Sequence, residues 1–334
     1  MPVWSLRSLK RPLSPEPVTA GVTPPWLRPT GVRLVVMLVL FVAVGTLTGV
    51  VEASGEVHPV PALMSGAAVG AIALLLYGAV VRAMERRAAT ELATAAARPG
   101  LRTGILLGLG LFTVTIAVIA LFGGYRVAGW GSVGGAVSMF GLMVSAAVTE
   151  EILFRGVVFR LVEELTGTWG ALVISGLLFG VVHLVNPGAT VWGAVAIAVE
   201  AGLMLGAAYA ATRSLWLPIG LHLGWNLAAG GIFSTTLSGA AGGPTGLFDG
   251  AMSGNAALTG GTFGPEASVV AILVCGLPTL VFLRLARRRG RLLTRRQSAA
   301  RRGLAEPWSE PRSESRSESW SEPRSASGDP RRPV

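Results

Sequence analysis

The sequence is poor in several residue types on which soluble enzymes rely. Charged residues make up 14% of its 334 positions, and it contains one cysteine, Cys275, and three histidines. One cysteine excludes an intramolecular disulfide and any metal site built from several cysteines. Hydrophobic residues instead make up 51% of the chain, and glycine occurs 45 times. This balance is far from that of a soluble domain and predicts that lipid surrounds most of the chain.

The net charge of +10 does not indicate a nucleic-acid partner. The arginines cluster in the two terminal segments and in short stretches between apolar runs, without the basic, aromatic-lined groove of a nucleic-acid-binding protein. We therefore expect no nucleic acid among the partners and attribute the positive charge to membrane topology.

Apolar runs, about eight in number, meet or approach the roughly 20 residues that a helix needs to cross a bilayer. They lie near residues 34–51, 60–81, 103–124, 132–154, 169–186, 190–212, 215–234 and 267–285. The sequence thus predicts an all-α, polytopic transmembrane bundle of about eight helices. Arginines precede the first run and separate the second from the third, whereas the opposite connections hold few. The positive-inside rule then places the chain in the cell membrane as a multi-pass protein with both termini cytoplasmic.

The same pattern divides the chain into three segments. Residues 1–33 are rich in Pro and Arg and are expected to form a disordered cytoplasmic segment, and residues 34–285 the transmembrane domain. Residues 286–334 are first basic and then repeat the motif WSEPRS, at 308–313 and 320–325. This low-complexity composition cannot bury a core, so a disordered cytoplasmic tail is expected.

Few polar or ionisable side chains lie inside the apolar runs. Each ionisable group costs roughly 2.5 kcal/mol or more within a bilayer, so those that occur are candidates for function. They are Glu150, Glu151 and Arg155 in the fourth run, His183 in the fifth, Glu200 in the sixth, and His222 with Asn226 in the seventh. Pairs four residues apart share a helix face, and three such pairs occur here: Glu151 with Arg155, Phe179 with His183, and His222 with Asn226.

An antiparallel pairing of the fourth and fifth runs brings two of these groups to one depth. The natural turn is at 166–167, with Glu150 about 16 residues before it and His183 about 16 residues after it. At 1.5 Å per residue the carboxylate and the imidazole reach the same level. A second turn at 213–214 places His222 near the bilayer midplane.

The motifs EExxxR (150–155), FxxxH (179–183) and HxxxN (222–226) follow one another on three apolar helices. This set resembles the CPBP family, which includes the CAAX prenyl endopeptidases and bacterial Abi-type proteins. The resemblance covers roughly residues 130–235, the expected peptidase-like core. It implies an intramembrane cavity that opens toward the cytoplasm and the lipid. Inside it, a peptide bond of a prenylated or leader-type peptide substrate would be cleaved, with membrane lipid as the other partner.

Carried over residue by residue, the resemblance assigns four catalytic roles. Glu150 would be the base that activates water, and His183 would hold the same water. His222 and Asn226 would stabilise the oxyanion. These roles agree with the needs of amide hydrolysis, which requires a base beside the attacking water and donors aimed at the developing negative charge.

Four further residues would support the site. The resemblance pairs Glu151 with Arg155 as a structural brace and gives Phe179 a place in the pocket wall. Glu200 matches no motif of the family, and we expect a supporting or packing role for it.

Alternatives stay open at this point. Glu150, His183 and His222 could bind Zn²⁺ with one position left for water, or the same groups could act without a metal. A proton- or ion-coupled transporter would also use intramembrane carboxylates and histidines, although no inverted repeat is evident. A third alternative is a catalytically silent membrane protein of the bacteriocin-immunity type.

Overall fold

Long helices run back and forth between two ends of the molecule. The computed structural model describes residues 25–27, 29–53, 58–240 and 242–305. The helices are α1 (Thr30–Ala53), α2 (Pro59–Glu85), α3 (Ala97–Leu121), α4 (Val133–Thr166), α5 (Thr168–Val182), α6 (Val191–Thr212), α7 (Trp216–Asn226), α8 (Ala256–Thr259), α9 (Val269–Arg288) and α10 (Arg295–Ala305). Two short strands, β1 (Tyr125–Trp130) and β2 (Phe248–Met252), and several single 3₁₀ turns complete the described part.

Within the described residues, six helices are long and apolar enough to cross a membrane: α2, α3, α4, α5, α6 and α9. Helix α1 adds the shorter apolar stretch Thr30–Thr46, and α7 continues into the π-helical stretch Leu227–Ile232. The predicted all-α, polytopic bundle is confirmed. The turns predicted between the fourth and fifth and between the sixth and seventh runs are also present, at Gly167 (φ 83°) and Arg213 (φ 57°).

One end of the bundle, which we term the basic end, is held by buried and half-buried ion pairs. They include Arg33 with Glu164 at 2.8 Å, Arg87 with Glu91 at 2.9 Å, Arg160 with Glu85 at 2.6 Å, and Arg213 with Glu163. Of these four, all except Arg87–Glu91 join different helices or a helix and a connection. These pairs tie the end of α4 to α1, α2 and the connection before α7.

The opposite end, which we term the strand end, carries the antiparallel pair of β1 and β2. Tyr125 lies opposite Met252 and Trp130 opposite Phe248, with an irregularity between Val127 and Gly129. The sequence did not predict these strands. The run expected to reach residue 124 ends as a helix at Leu121, because a turn with Gly123 at φ 77° leads directly into β1.

Glycines allow the helices that carry the candidate residues to pack closely. A Cβ atom on Gly220 would lie 2.6 Å from Leu101 O, and one on Gly224 would lie 2.8 Å from the Cα of Ile105. Helices α3 and α7 therefore touch backbone to backbone, as small residues permit in membrane bundles. Helices α5 and α6 approach in the same way, since a Cβ on Gly202 would lie 2.8 Å from the Cα of Gly176.

The terminal segments differ from the prediction of disorder. Helix α1 begins at Thr30, inside the segment 1–33, and α10 (Arg295–Ala305) lies inside the segment 286–334. Thr168 explains the second difference, since its backbone N–H donates to Leu293 O at 2.9 Å and its hydroxyl accepts from Leu293 N at 2.8 Å. These bonds fix the approach to α10 against the start of α5. Residues 1–24 and 306–334 lie outside the described residues.

Candidate active site

The four predicted catalytic residues line one cavity. Glu150 comes from α4, His183 from the turn after α5, and His222 and Asn226 from α7. The cavity has a volume of about 150 Å³. His222 and Asn226 are 7% and 6% exposed, whereas Glu150 and His183 are half-buried. Three helices thus bring a carboxylate, two imidazoles and an amide to a space large enough for water and part of a ligand.

Glu151 faces away from the cavity and joins two of its walls. Arg155 Nη1 donates to Glu151 Oε1 at 2.8 Å, which is the predicted pair within one helix. His222 Nδ1 lies 3.0 Å from the same oxygen. A carboxylate accepts hydrogen bonds, so this contact orients the imidazole with Nδ1–H toward Glu151 and Nε2 away from it. The contact with His222 was not predicted, because it joins α4 to α7 and leaves no signal in spacing along the chain.

Arg155 is fully buried and links α4 to α6. Its Nη2 donates to the carbonyl oxygens of Gly202 at 3.1 Å and Ala201 at 3.3 Å. Its guanidinium carbon also lies 4.9 Å from the centre of the Phe179 ring. A buried arginine needs such partners, and here one carboxylate, two carbonyls and an aromatic face supply them.

Phe179 separates the two imidazoles and fixes one of them. Its ring centre lies 4.9 Å from that of His183 and 6.0 Å from that of His222. The Phe179 carbonyl oxygen lies 2.6 Å from His183 Nδ1. Since a carbonyl only accepts, Nδ1 carries the proton, and Nε2 of neutral His183 retains a lone pair. The predicted position of Phe179 in the pocket wall therefore comes with a second role for its backbone.

Widened helical turns lie at the depth of the site. The π-helical stretches are Ile152–Phe159 in α4, Ala198–Gly202 in α6 and Leu227–Ile232 after α7. They adjoin or contain Glu151, Glu200 and Asn226. Such turns interrupt the regular hydrogen-bond ladder and re-aim side chains, and they often occur at functional sites. Ala201 and Gly202, which accept from Arg155, belong to the second stretch.

Two buried carboxylates share the cavity with Glu150. Glu200 lines it, and Cys275 Sγ donates to Glu200 Oε1 at 3.4 Å. Glu266, which the sequence reasoning missed, also lines it and accepts from the indole N–H of Trp225 at 3.1 Å. Glu266 precedes α9 at the end of a glycine-rich connection. A carboxylate in such a connection gives no indication of a functional role, because charged residues are common in loops. Its one sequence signal is its place immediately before an apolar run.

The cavity reaches toward the strand end. Besides helical residues, its lining includes Asn186, Ser238, Ala240 and Glu266, which belong to connections at that end. The Asn186 amide donates to Ser238 O at 2.7 Å and ties two of these connections together. The resemblance implied a cavity open toward the cytoplasm, which the positive-inside rule places at the basic end. The lining residues that belong to connections lie at the strand end, and the side on which the cavity opens stays a prediction.

The predicted zinc ligands do not form a ready metal site. Within the described residues, no group of three or more His, Cys, Asp or Glu side chains is placed to hold one metal ion. Glu150, His183 and His222 border the same cavity. Zinc would require their ligand atoms to converge to about 2.0–2.2 Å from one point. Zinc binding by these three residues stays a prediction.

One comparison with known proteins matches the part of the chain that carries these four residues. Residues 132–228 match the family model described as type II CAAX prenyl endopeptidase Rce1-like. The match spans α4 to the first residues after α7, and so contains all four predicted catalytic residues. The predicted family is confirmed for this region. No curated protein and no solved structure gave a match to the chain.

Proposed function

Residues 132–228 belong to the Rce1-like family of CAAX-type endopeptidases, and on this premise we propose that the protein is an intramembrane endopeptidase that uses Glu150 and His183 to activate water. Its substrate would be a prenylated or leader-type peptide. One observation carries the proposal: Glu150, His183, His222 and Asn226 border a single cavity within an apolar helical bundle.

The first step is attack by water on the scissile carbonyl carbon. Glu150 takes one proton of the water while the oxygen forms a bond to that carbon, and His183 Nε2 accepts a hydrogen bond from the same water. The orientation of His183 supports this role, because the Phe179 carbonyl at 2.6 Å keeps the other ring nitrogen protonated. Glu150 Oε2 is buried and accepts no hydrogen bond from the part of the chain that the structure describes, so it is available to the water.

The second step is stabilisation of the tetrahedral oxyanion. The Asn226 side-chain amide is a donor in any protonation state. His222 can donate from Nε2 only as an imidazolium, because Nδ1–H already points to Glu151. The Glu151 carboxylate, 3.0 Å away, would balance the charge of that imidazolium. Donors of this kind typically contribute a factor of about 10² to 10³ in kcat.

The third step is collapse of the intermediate. Glu150 passes its proton to the amide nitrogen, the carbon–nitrogen bond breaks, and a carboxylic acid and an amine form; the acid then loses its remaining proton to the amine. One carboxyl group thus serves first as base and then as acid, and no covalent intermediate is needed.

The test compares substitutions inside and outside the cavity. Purified protein in lipid nanodiscs is incubated with fluorescence-quenched farnesylated CAAX peptides and leader peptides. We expect Glu150→Gln and His183→Ala each to lower kcat/KM by about 100-fold or more. Glu164→Gln is the matched control, since Glu164 pairs with Arg33 at the basic end, and it should stay within about twofold.

Persistence of cleavage in both cavity variants would refute the proposed site. The same assay covers the metal alternative, since zinc bound by Glu150, His183 and His222 predicts about one zinc per chain by elemental analysis and loss of cleavage on chelation. A metal-free mechanism predicts neither.

A further inference from the structure

The cavity contains more carboxylates than the proposed hydrolysis uses. Besides Glu150, its lining includes Glu200 and Glu266, and no Lys or Arg among the described residues. Glu200 is 1% exposed and Glu266 is 2% exposed. The proposed mechanism gives neither group a step, so both are available to recognise what the cavity binds.

These two carboxylates differ in their partners. Glu266 has both oxygens occupied, since Oε1 accepts from Trp225 at 3.1 Å and Oε2 accepts from the Ser238 hydroxyl at 2.7 Å. Glu200 Oε1 accepts a weak bond from the Cys275 thiol at 3.4 Å, and Glu200 Oε2 has no hydrogen-bond partner among the described residues. Glu266 is thus held in place, whereas Glu200 offers a free acceptor at the cavity.

A buried acceptor without a hydrogen bond destabilises the fold unless a ligand donates a hydrogen bond to it. Burying a polar group without a hydrogen bond costs roughly 1–3 kcal/mol, and a buried charge costs more. Glu200 and Glu266 line the same cavity, so their negative charges repel each other there. A ligand that is both a hydrogen-bond donor and a cation would satisfy the free oxygen and offset the repulsion among the carboxylates.

We propose that the cavity binds a peptide whose residue next to the scissile bond is Lys or Arg, and that Glu200 is the specificity-determining residue that binds this side chain. The inference rests on the proposed peptidase function, because Glu200 and the Glu150 site share one cavity. The ammonium or guanidinium group donates to Glu200 Oε2. The peptide bond of the same residue then lies between Glu150 and the oxyanion donors.

The experiment separates binding from cleavage. Farnesylated CAAX peptides and unprenylated leader peptides are made in three versions, with Lys, Gln or Leu beside the scissile bond. Binding is measured by fluorescence anisotropy to the Glu150→Gln variant in nanodiscs, and cleavage is measured with the unaltered protein. The Gln version donates hydrogen bonds without a charge, so it distinguishes a cation site from a simple acceptor.

We expect the Lys peptide to bind Glu150→Gln about tenfold more tightly than the Gln and Leu peptides. Adding Glu200→Gln should reduce this preference to within about twofold. Cys275→Ala is the matched control, because it removes the other contact of Glu200 and keeps the carboxylate. It should retain the preference for Lys.

Three results would overturn the inference: equal binding of all three peptides, equal binding of the Lys and Gln peptides, or a Lys preference that survives Glu200→Gln. If that variant does not fold, the three peptides still decide the question with Glu150→Gln alone. Failure of the proposed function looks different, because the unaltered protein would then cleave no peptide while the binding preference stays measurable.

Discussion

Glu151 shows how much a single carboxylate oxygen can organise. Oε1 accepts from Arg155 in the same helix at 2.8 Å and lies 3.0 Å from Nδ1 of His222 in α7. One oxygen atom thus braces α4 and links it to α7. All of this occurs with Glu151 and Arg155 fully buried. Removing either partner of such a buried pair leaves an uncompensated charge, which is more damaging than loss of an exposed pair. Glu151 therefore supports the site through its contact with His222 as well as through Arg155.

Glu91, in the connection between α2 and α3 at the basic end, should make stability depend on pH. Burial favours the protonated form of Glu91, but the hydrogen bond and charge of Arg87, the charge of Arg160 and the Tyr77 hydroxyl outweigh it and lower its pKa from 4.5 to about 2. A lowered folded-state pKa stabilises the fold above the ordinary value, and this stabilisation is lost as pH falls from about 4.5 toward 2. At neutral pH, ionised Glu91 contributes about 3 kcal/mol to the free energy of unfolding.

Thermal unfolding of the unaltered protein and of Glu91→Gln measures this effect. At pH 7 the unfolding temperature of the unaltered protein should be several degrees above that of Glu91→Gln. This difference in unfolding temperature should narrow as the pH falls from 4.5 to 3. Glu164→Gln alters an ion pair whose carboxylate is 27% exposed. Its unfolding temperature should therefore differ little from that of the unaltered protein at any pH. A gap for Glu91→Gln that is constant from pH 7 to pH 3 would contradict the assignment.

Residues of the site could be predicted where the chemistry is unusual for their surroundings. Glu150, His183 and His222 are conspicuous because ionisable groups are rare in apolar runs. Glu266 is not, because it lies at the boundary of a loop where carboxylates are common. The contact between Glu151 and His222 also could not be predicted, since it depends on how α4 and α7 are rotated relative to each other.

At the scale of the elements, the position of α7 depends on its contact with α3. Helix α7 carries His222 and Asn226, and its glycines bring it against the α3 backbone. Gly224→Ala would place a methyl group 2.8 Å from the Cα of Ile105, with no flexible side chain to yield. We expect a loss of about 1–3 kcal/mol in unfolding free energy and a fall in cleavage, because α7 must move.

Gly110→Ala is the matched control for this prediction. Gly110 lies in the middle of α3, and a Cβ there would meet nothing within 4 Å. It should leave cleavage unchanged and slightly raise the unfolding temperature through better helix propensity. Equal stability and equal cleavage for Gly224→Ala and Gly110→Ala would show that the α3–α7 contact does not control the site.

The long helices could be predicted because bilayer thickness sets their length and apolar character. The strands could not, because β1 and β2 are separated by more than one hundred residues and each is five or six residues long. α10 was missed for a related reason. Its sequence is strongly basic, and its approach is fixed by the hydrogen bonds between Thr168 and Leu293 rather than by an apolar face.

For the whole molecule, the distribution of arginines predicts that the basic end faces the cytoplasm. The chain is well suited to a test because Cys275 is fully buried and can be replaced by Ala. Two exposed alanines serve as reporters when changed to cysteine: Ala257 in α8, near the strand end, and Ala300 in α10.

A membrane-impermeant maleimide should label Ala257→Cys on intact cells, and Ala300→Cys only after the membrane is opened. The expected difference follows from the two ends lying on opposite sides of the bilayer. The reverse labelling pattern would invert the topology. It would also place the side of the cavity lined by Ser238 and Glu266 toward the cytoplasm.

The three widened helical turns also bear on how this protein can change in length. A residue added to or removed from an α-helix rotates everything beyond it by about 100°, since one turn takes 3.6 residues. A widened turn takes up more residues than a regular turn for the same rotation, and the three lie beside the cavity. Shortening α4, α6 or α7 there by a single position would restore a regular ladder while the side chains beyond it keep their neighbours. Such a deletion should therefore disturb the cavity and spare the packing of the bundle, whereas a deletion from the regular part of the same helix should disturb both.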